Sequence, residues 1–183
     1  MGGLVVDLTA GQGQDTLALY HMVGDSGQVV AFDVQPEALA ATQSRLQRVG
    51  AQIRSATGSG QRLEAQPGVD LLCCSHDQLA RTVPGALQGV IANLGYLPGG
   101  DRQIITRPDS TLSALEQACT GLASGGRVAI VVYPGHVGGA DEAQAVGNFF
   151  AALDEQLFQV LELRVANRSQ APGLFVAEKL SFE

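Results

Sequence analysis

Tryptophan is absent from the 183-residue chain, histidine and cysteine occur 3 times each, and charged residues make up only 16%. So little charge beside 45% hydrophobic residues excludes a disordered chain or a coiled coil. No apolar run reaches the roughly 20 residues of a membrane-spanning helix, and the first residues lack the basic and apolar segments of a signal peptide. A cytoplasmic globule is expected. Its length suits one domain over residues 1–183, burying about 70% of the surface that the unfolded chain exposes. Neither C-x-x-C nor H-E-x-x-H occurs, so no metal is expected. Cys73 and Cys74 are neighbours that a strand turns to opposite faces, and Cys119 falls in a helical pattern, so the three read as reduced, buried thiols. Basic residues are also scarce: 11 Lys and Arg stand against 18 Asp and Glu, and none precedes Arg45, whereas Asp7, Asp15, Asp25, Asp33 and Glu37 do. That balance argues against nonspecific nucleic-acid binding through a broad basic face.

What is present is an alternation. Apolar runs of strand length occupy 4–8, 29–33, 69–75, 89–94, 127–133, 158–165 and 174–180. Between them, 15–23, 36–49, 76–83, 109–122 and 141–157 carry apolar residues at spacings of three and four. Strand followed by helix, repeated, predicts an α/β fold with a mostly parallel, doubly covered sheet. Only 167–173 separates the last two strands, too short for a parallel crossover, so they form an antiparallel hairpin. Pro36 suits a first helical turn, and Pro108-Asp109-Ser110 places a capping side chain before a helix that ends near Ser124-Gly125-Gly126.

The first strand runs through Asp7 and Thr9 into a turn holding Gly11 and Gly13, then into a helix that begins at Asp15 and Thr16. Open α/β sheets bind ligands beyond the carboxyl ends of their strands, where glycine lets the backbone approach closely. A second strand ends in Asp33, placed to accept hydrogen bonds from a ribose diol. A dinucleotide-binding dehydrogenase shares that feature, but Thr16 stands where its third glycine belongs, and the Asp7 carboxylate ill suits a pyrophosphate. A ligand carrying an ammonium and a sulfonium, such as S-adenosylmethionine, fits better. The plainer alternative is that the glycines only shape a turn and Asp7 caps the helix. Ser75-His76-Asp77, at the third strand end, is placed either against an adenine or as a surface helix start.

With these residues the chain resembles the class I S-adenosylmethionine-dependent methyltransferases. Asn93-Leu94-Gly95-Tyr96-Leu97-Pro98-Gly99-Gly100-Asp101 and Val132-Tyr133-Pro134-Gly135-His136-Val137-Gly138-Gly139 resemble, more narrowly, their rRNA methylase branch, as do Asn167, Pro172 and Glu178-Lys179. The resemblance spans residues 5–179. It implies a Rossmann-like, seven-stranded sheet, a homodimer, and methylation of the 5-aminomethyl group of 2-thiouridine at the tRNA wobble position. The implied cofactor positions are Asp7, Gly11, Gly13, Asp33, Gln35 and His76, to which the same stretches add Thr9, Asp15, Thr16, Ser75 and Asn93. Two departures stand out: relatives begin with a helix before the first strand, whereas Met1 here stands almost at that strand, and 52–67 looks like an insert longer than relatives need.

Methyl transfer from a sulfonium is an in-line displacement, so the protein must chiefly hold a nucleophile in near-attack geometry. An amine nucleophile must also be deprotonated, which a nearby acceptor assists. Asn93-Leu94-Gly95-Tyr96 is similar to the Asn/Asp-Pro-Pro-Tyr/Phe motif of amino-directed nucleic-acid methyltransferases, without its prolines. Asn93 and Tyr96 keep its chemistry, or else are a strand-ending Asn and a half-buried Tyr. His136 is a candidate proton acceptor or base-stacking group, or a solvated loop histidine. Glu142 is placed to serve a helix N-terminus. Pro98, Asp101, Arg102 and Tyr133 complete the candidate substrate side, and Arg102, Arg107, Arg164 and Arg168 are candidate phosphate contacts for a tRNA anticodon loop, or merely solvated. Rival readings are a methyltransferase of another RNA, a small molecule or a protein, a nicotinamide-dependent oxidoreductase, and a non-catalytic subunit of methyltransferase fold.

Overall fold

The computed structural model describes residues 2–57, 62–101, 103–168 and 170–181. In chain order the elements are β1 (Leu4–Asp7), α1 (Gln14–Val23), β2 (Gln28–Asp33), α2 (Pro36–Gln47), β3 (Ile53–Thr57) and β4 (Gly68–Cys73). A 3-10 turn (His76–Gln78) leads into α3 (Leu79–Thr82), followed by β5 (Leu87–Asn93), α4 (Pro108–Gly121), β6 (Leu122–Val132), α5 (Gly139–Ala151), β7 (Phe158–Arg164) and β8 (Gly173–Lys179). One sheet runs in the order β3-β4-β2-β1-β5-β6-β8-β7. Its first six strands are parallel, and β8 lies antiparallel between β6 and β7.

Alternation along the strands assigns the faces. Val5, Val29, Ala31, Val69 and Leu71 turn toward Leu19 and Val23 of α1 and Leu39 and Leu46 of α2. The intervening Val6, Val30, Phe32 and Leu72 turn to the opposite face, against Ala114, Leu115 and Ala118 of α4 and Val146 and Phe150 of α5. Both faces are thereby covered, as parallel sheets require. Phe32 is fully buried, and Phe150 stacks on Phe175 with ring centroids 5.4 Å apart; burying each such ring contributes ~1.5–3 kcal/mol.

The α/β class, the parallel sheet and the antiparallel C-terminal hairpin agree with the sequence. The strand number does not, because the sheet has eight strands where seven were expected. Residues 53–57, which resembled part of an insert, form β3 at the sheet edge, paired in parallel with β4. Arg54 fastens that edge: it donates to both oxygens of the buried Asp70, at 2.6 and 2.8 Å, and to the carbonyls of Pro67 and Gln66. Residues 58–61 lie outside the described residues.

Helix ends also moved, each for a local reason. Helix α5 stops at Ala151, because Asp154 accepts the Gln156 N–H and closes its own turn. Helix α2 stops at Gln47 and is closed by Gly50 at φ 73°. Helix α4 ends at Gly121, and Ser124-Gly125-Gly126 forms an irregularity inside β6 instead of a helix end. At its start no side chain caps, Pro108 takes the first turn, and the Ser110 hydroxyl bonds back to the Arg107 carbonyl. Cys73 and Cys74 are half-buried and Cys119 is buried; all three are free thiols.

Candidate active site

Connections leave β1 on one side toward β2, while β5 returns on its other side, so the sheet order reverses at β1. A crevice opens at the carboxyl ends of strands flanking such a point. Here a cavity of about 840 Å³ lies there, the size of a small-molecule site.

The turn after β1 forms one wall. Gly13, at φ 79°, starts α1, and a Cβ on it would come within 2.7 Å of the Thr42 backbone, so glycine is what allows α1 and α2 to meet. Helix α2 holds the turn from behind: the Thr42 hydroxyl donates to the Gly11 carbonyl and Arg45 Nε to the Gln12 carbonyl. Asp33 holds it from the side, accepting the N–H groups of Gly11 and Gln35, each at 2.9 Å. Burial raises the Asp33 carboxyl above its ordinary range, opposed by those hydrogen bonds.

Asp7 is almost fully buried behind this wall. Its carboxylate accepts the Thr16 hydroxyl at 2.6 Å and the Thr9 N–H at 3.0 Å. Burial pushes its pKa up to about 6, with the charges of Asp15 and Asp33 adding to the rise. Asp7, Gly13 and Thr16 therefore brace the turn and do not line the cavity, whereas Thr9, Gly11, Asp15, Asp33, Gln35 and Asn93 do.

The end of β4 closes the far side with Cys74, Ser75 and His76. His76 is buried, not a surface helix start. Its Nδ1 lies 3.2 Å from the Leu8 carbonyl, which can only accept, so Nδ1 carries the proton and Nε2 is left as an acceptor without a protein partner. Burial lowers the His76 pKa, keeping the ring neutral.

Tyr96, Pro98, Tyr133 and His136 line the opposite part of the same cavity. Asn93 joins the two parts. Its Nδ2 donates to Asp15, its Oδ1 accepts from the Tyr133 hydroxyl at 3.2 Å, and its backbone N–H donates to the Thr9 hydroxyl at 2.8 Å. Tyr96 meets His136 edge-on at 5.7 Å. His136 Nδ1 bonds the Val137 carbonyl at 3.0 Å, and its Nε2 is buried without a partner beside Gly95 and Gly139.

Asp101 stands off the cavity and closes its own turn by accepting the Gln103 N–H, and Arg102 lies outside the described residues. Arg107 precedes α4, and the register Arg164↔Gly173↔Val132 brings the end of β7 to the rim that carries Tyr133. Ile104, Ile105, Gln170 and Cys74 also line the cavity, and Gln12 Nε2 donates to the Pro98 carbonyl across its mouth. Sequence reading passed over them; the apolar pair Ile104-Ile105 in a polar loop was the available signal. Among the described residues no His, Cys, Asp and Glu cluster could hold a metal ion.

The family model described as "Putative rRNA methylase" matches residues 29–179. An Arabidopsis thaliana protein, "tRNA (mnm(5)s(2)U34)-methyltransferase, chloroplastic", is 38% identical over 180 residues, 94% of this chain and 62% of the relative, so the chain spans under two thirds of that protein. A "putative rRNA-methylase" from Clostridium thermocellum superposes with a TM-score of 0.86 at 33% identity, covering 98% of this chain and 89% of that one. A "putative methyltransferase" from Streptococcus mutans, solved in complex with SAH, gives 0.81 and 34% over the same shares. The fold is thus the Rossmann-like fold of these proteins, and with 29–179 matched, the chain belongs to the rRNA methylase family.

Proposed function

We propose that the protein is an S-adenosylmethionine-dependent RNA methyltransferase that N-methylates the 5-aminomethyl group of the wobble 2-thiouridine in tRNA. The observation that carries the cofactor assignment is the cavity's charge. Asp15 and Asp33 line it, Asp7 lies close behind, and no Lys or Arg lines it among the described residues. An anionic pyrophosphate is repelled there, whereas an ammonium and a sulfonium are attracted. This disfavours the nicotinamide reading. The partnerless Nε2 of His76 supplies an acceptor for an adenine amino group, and Asp33 retains lone pairs for ribose hydroxyls. When bound, S-adenosylmethionine supplies an electrophilic methyl. SAH, its demethylated product, occupies the Streptococcus mutans relative.

The tRNA substrate rests on the chloroplastic relative's name and on the other half of the cavity. Asn93 Oδ1, already oriented by Tyr133 and fixed through Asp15, has a second lone pair for a substrate amine N–H. Tyr96 and Tyr133 are each partly exposed and available to stack on a base. His136 is the candidate proton acceptor; Gly95 and Gly139 cover its Nε2, so that role requires the ring to turn outward. Arg107, Arg164 and Arg168, with Arg102, contact phosphates of the anticodon loop.

We also infer one methyltransferase domain over residues 1–183, working in the cytoplasm as a homodimer. Support for the dimer comes from the sheet edge, where Leu161, Leu163 and Val165 of the β7 strand and its end are each about half exposed. The function is tested by incubating undermodified tRNA with the protein and labelled cofactor. Mass spectrometry of the nucleosides should show the label on 5-methylaminomethyl-2-thiouridine. A parallel incubation with ribosomal RNA that takes up label while the tRNA stays unlabelled would move the substrate to ribosomal RNA, which the family description favours.

A further inference from the structure

The buried carboxylate of Glu142 has a place in the site that the substrate reading leaves unused. It lies in the first turn of α5, only 3% exposed, and among the described residues no Lys, Arg or His pairs with it. A carboxylate serving its own helix terminus would accept that helix's N–H groups. This one instead accepts two threonine hydroxyls from other segments, Thr106 at 2.7 Å and Thr111 at 2.7 Å.

Thr106 passes the contact on. Its hydroxyl oxygen accepts the Gly95 N–H at 2.8 Å, so its single proton is committed to Glu142. Its own N–H donates to the Gly95 carbonyl at 2.9 Å. Gly95 follows Asn93-Leu94 and precedes Tyr96, and sits at φ 132°, a conformation open to glycine and fixed here by the two bonds to Thr106. The loop between Asn93 and α4 also carries a bridge between Tyr96 and Ile105 and accepts the Gln12 amide at the Pro98 carbonyl. The same helix start follows directly on His136, whose carbonyl accepts the Gly139 N–H. Glu142 thus stands where the Asn93–Tyr96 loop, the His136 loop and α4 converge.

We infer that Glu142 is a positioning residue: through the Thr106 hydroxyl it fixes the Gly95 backbone, and so the aim of Asn93 and Tyr96 at the substrate amine. The inference rests on the proposed methyl transfer for its kinetic consequence, but not for its structural one. Misplacing a reacting group by about 1 Å costs up to roughly 100-fold in rate. Glu142→Ala and Thr106→Val should therefore each lower kcat on tRNA by about tenfold or more, while SAH affinity by calorimetry changes by less than about threefold. Glu142→Gln should keep kcat within about threefold, because its amide oxygen still accepts the Thr106 proton. The double variant Thr106→Val/Glu142→Ala should be no slower than the slower single variant, since both cut one link.

Equal loss in Glu142→Gln and Glu142→Ala, or single effects that multiply, would overturn the inference. A second arm needs no substrate: amide hydrogen exchange at Gly95 should quicken about tenfold or more in Glu142→Ala and Thr106→Val, as for loss of a buried hydrogen bond. Unchanged Gly95 exchange overturns the link outright. A wild-type protein that leaves tRNA unmethylated refutes the substrate reading instead, and the exchange arm still decides the role of Glu142.

Discussion

At the scale of single residues, Asp7 and Asp33 look alike in sequence, each a carboxylate ending a strand, and burial separates them. Asp7 is sealed behind the glycine turn with a pKa of about 6. Its folded pKa exceeds its unfolded value of 3.8, so the native state binds the proton more tightly and its ionisation opposes folding as pH rises from about 4 through 6. Asp7→Asn, which can still meet Thr9 and Thr16, should gain up to about 3 kcal/mol at pH 8 and nothing below about pH 4. Denaturant unfolding of both proteins at the two pH values measures this; an equal difference at both would show that the Asp7 charge is not at issue. Asp33 keeps a face on the cavity. Asp33→Ala removes a charged acceptor from Gly11 and Gln35 and, in the proposed cofactor site, from the ribose, and should weaken S-adenosylmethionine about 10- to 100-fold by calorimetry. The sequence named both residues, but a carboxylate in the wall and one behind it share the same pattern.

At the scale of elements, the strand-helix rhythm was legible because the continuous apolar run of β2 and the 3.6-residue period of α1 and α5 are strong signals. β3 was not, since Ile53 to Thr57 offers one large apolar residue, and long-range contacts, chiefly the Arg54–Asp70 pair and the β4 edge, hold it in place. Helix ends were poorly legible for a similar reason. The last carbonyls of α4 are met by Lys179 Nζ from β8, which donates to Leu122 at 3.0 Å and Thr120 at 3.3 Å. No local pattern announces a cap from so far along the chain. Lys179→Met keeps the apolar stem and should cost about 1 kcal/mol in thermal or denaturant unfolding; an unchanged midpoint would mean that water satisfies those carbonyls equally well.

At the scale of the whole molecule, a net charge of -7 coexists with a rim that carries arginines. With Arg102, Arg107, Arg164 and Arg168 as the phosphate contacts, log affinity for the tRNA stem-loop against log salt should have a slope of only about -3 to -4. A slope near zero would remove those residues from the interface. The exposed β7 edge calls for a cover, because an unpaired strand with apolar side chains is an aggregation hazard. Pairing about a two-fold at Leu163 would set Leu161 against the partner's Val165. Leu163→Glu should then convert dimer to monomer in sedimentation equilibrium, and a variant that stays dimeric would place the interface elsewhere.

The sequence by itself determined the fold class, the glycine turn, the two acidic strand ends and the stretches around Asn93 and His136. Each is a local pattern whose physical cause, hydrophobic periodicity or backbone freedom, lies within a few neighbouring residues. Only the tertiary structure decided that Asp7 faces away from the cavity, that Asn93 links Asp15 to Tyr133, and that Glu142 meets Thr106 and Thr111. Those contacts join segments far apart in the chain, and the side chains that form them are set by how β1, β5, α4 and α5 pack together.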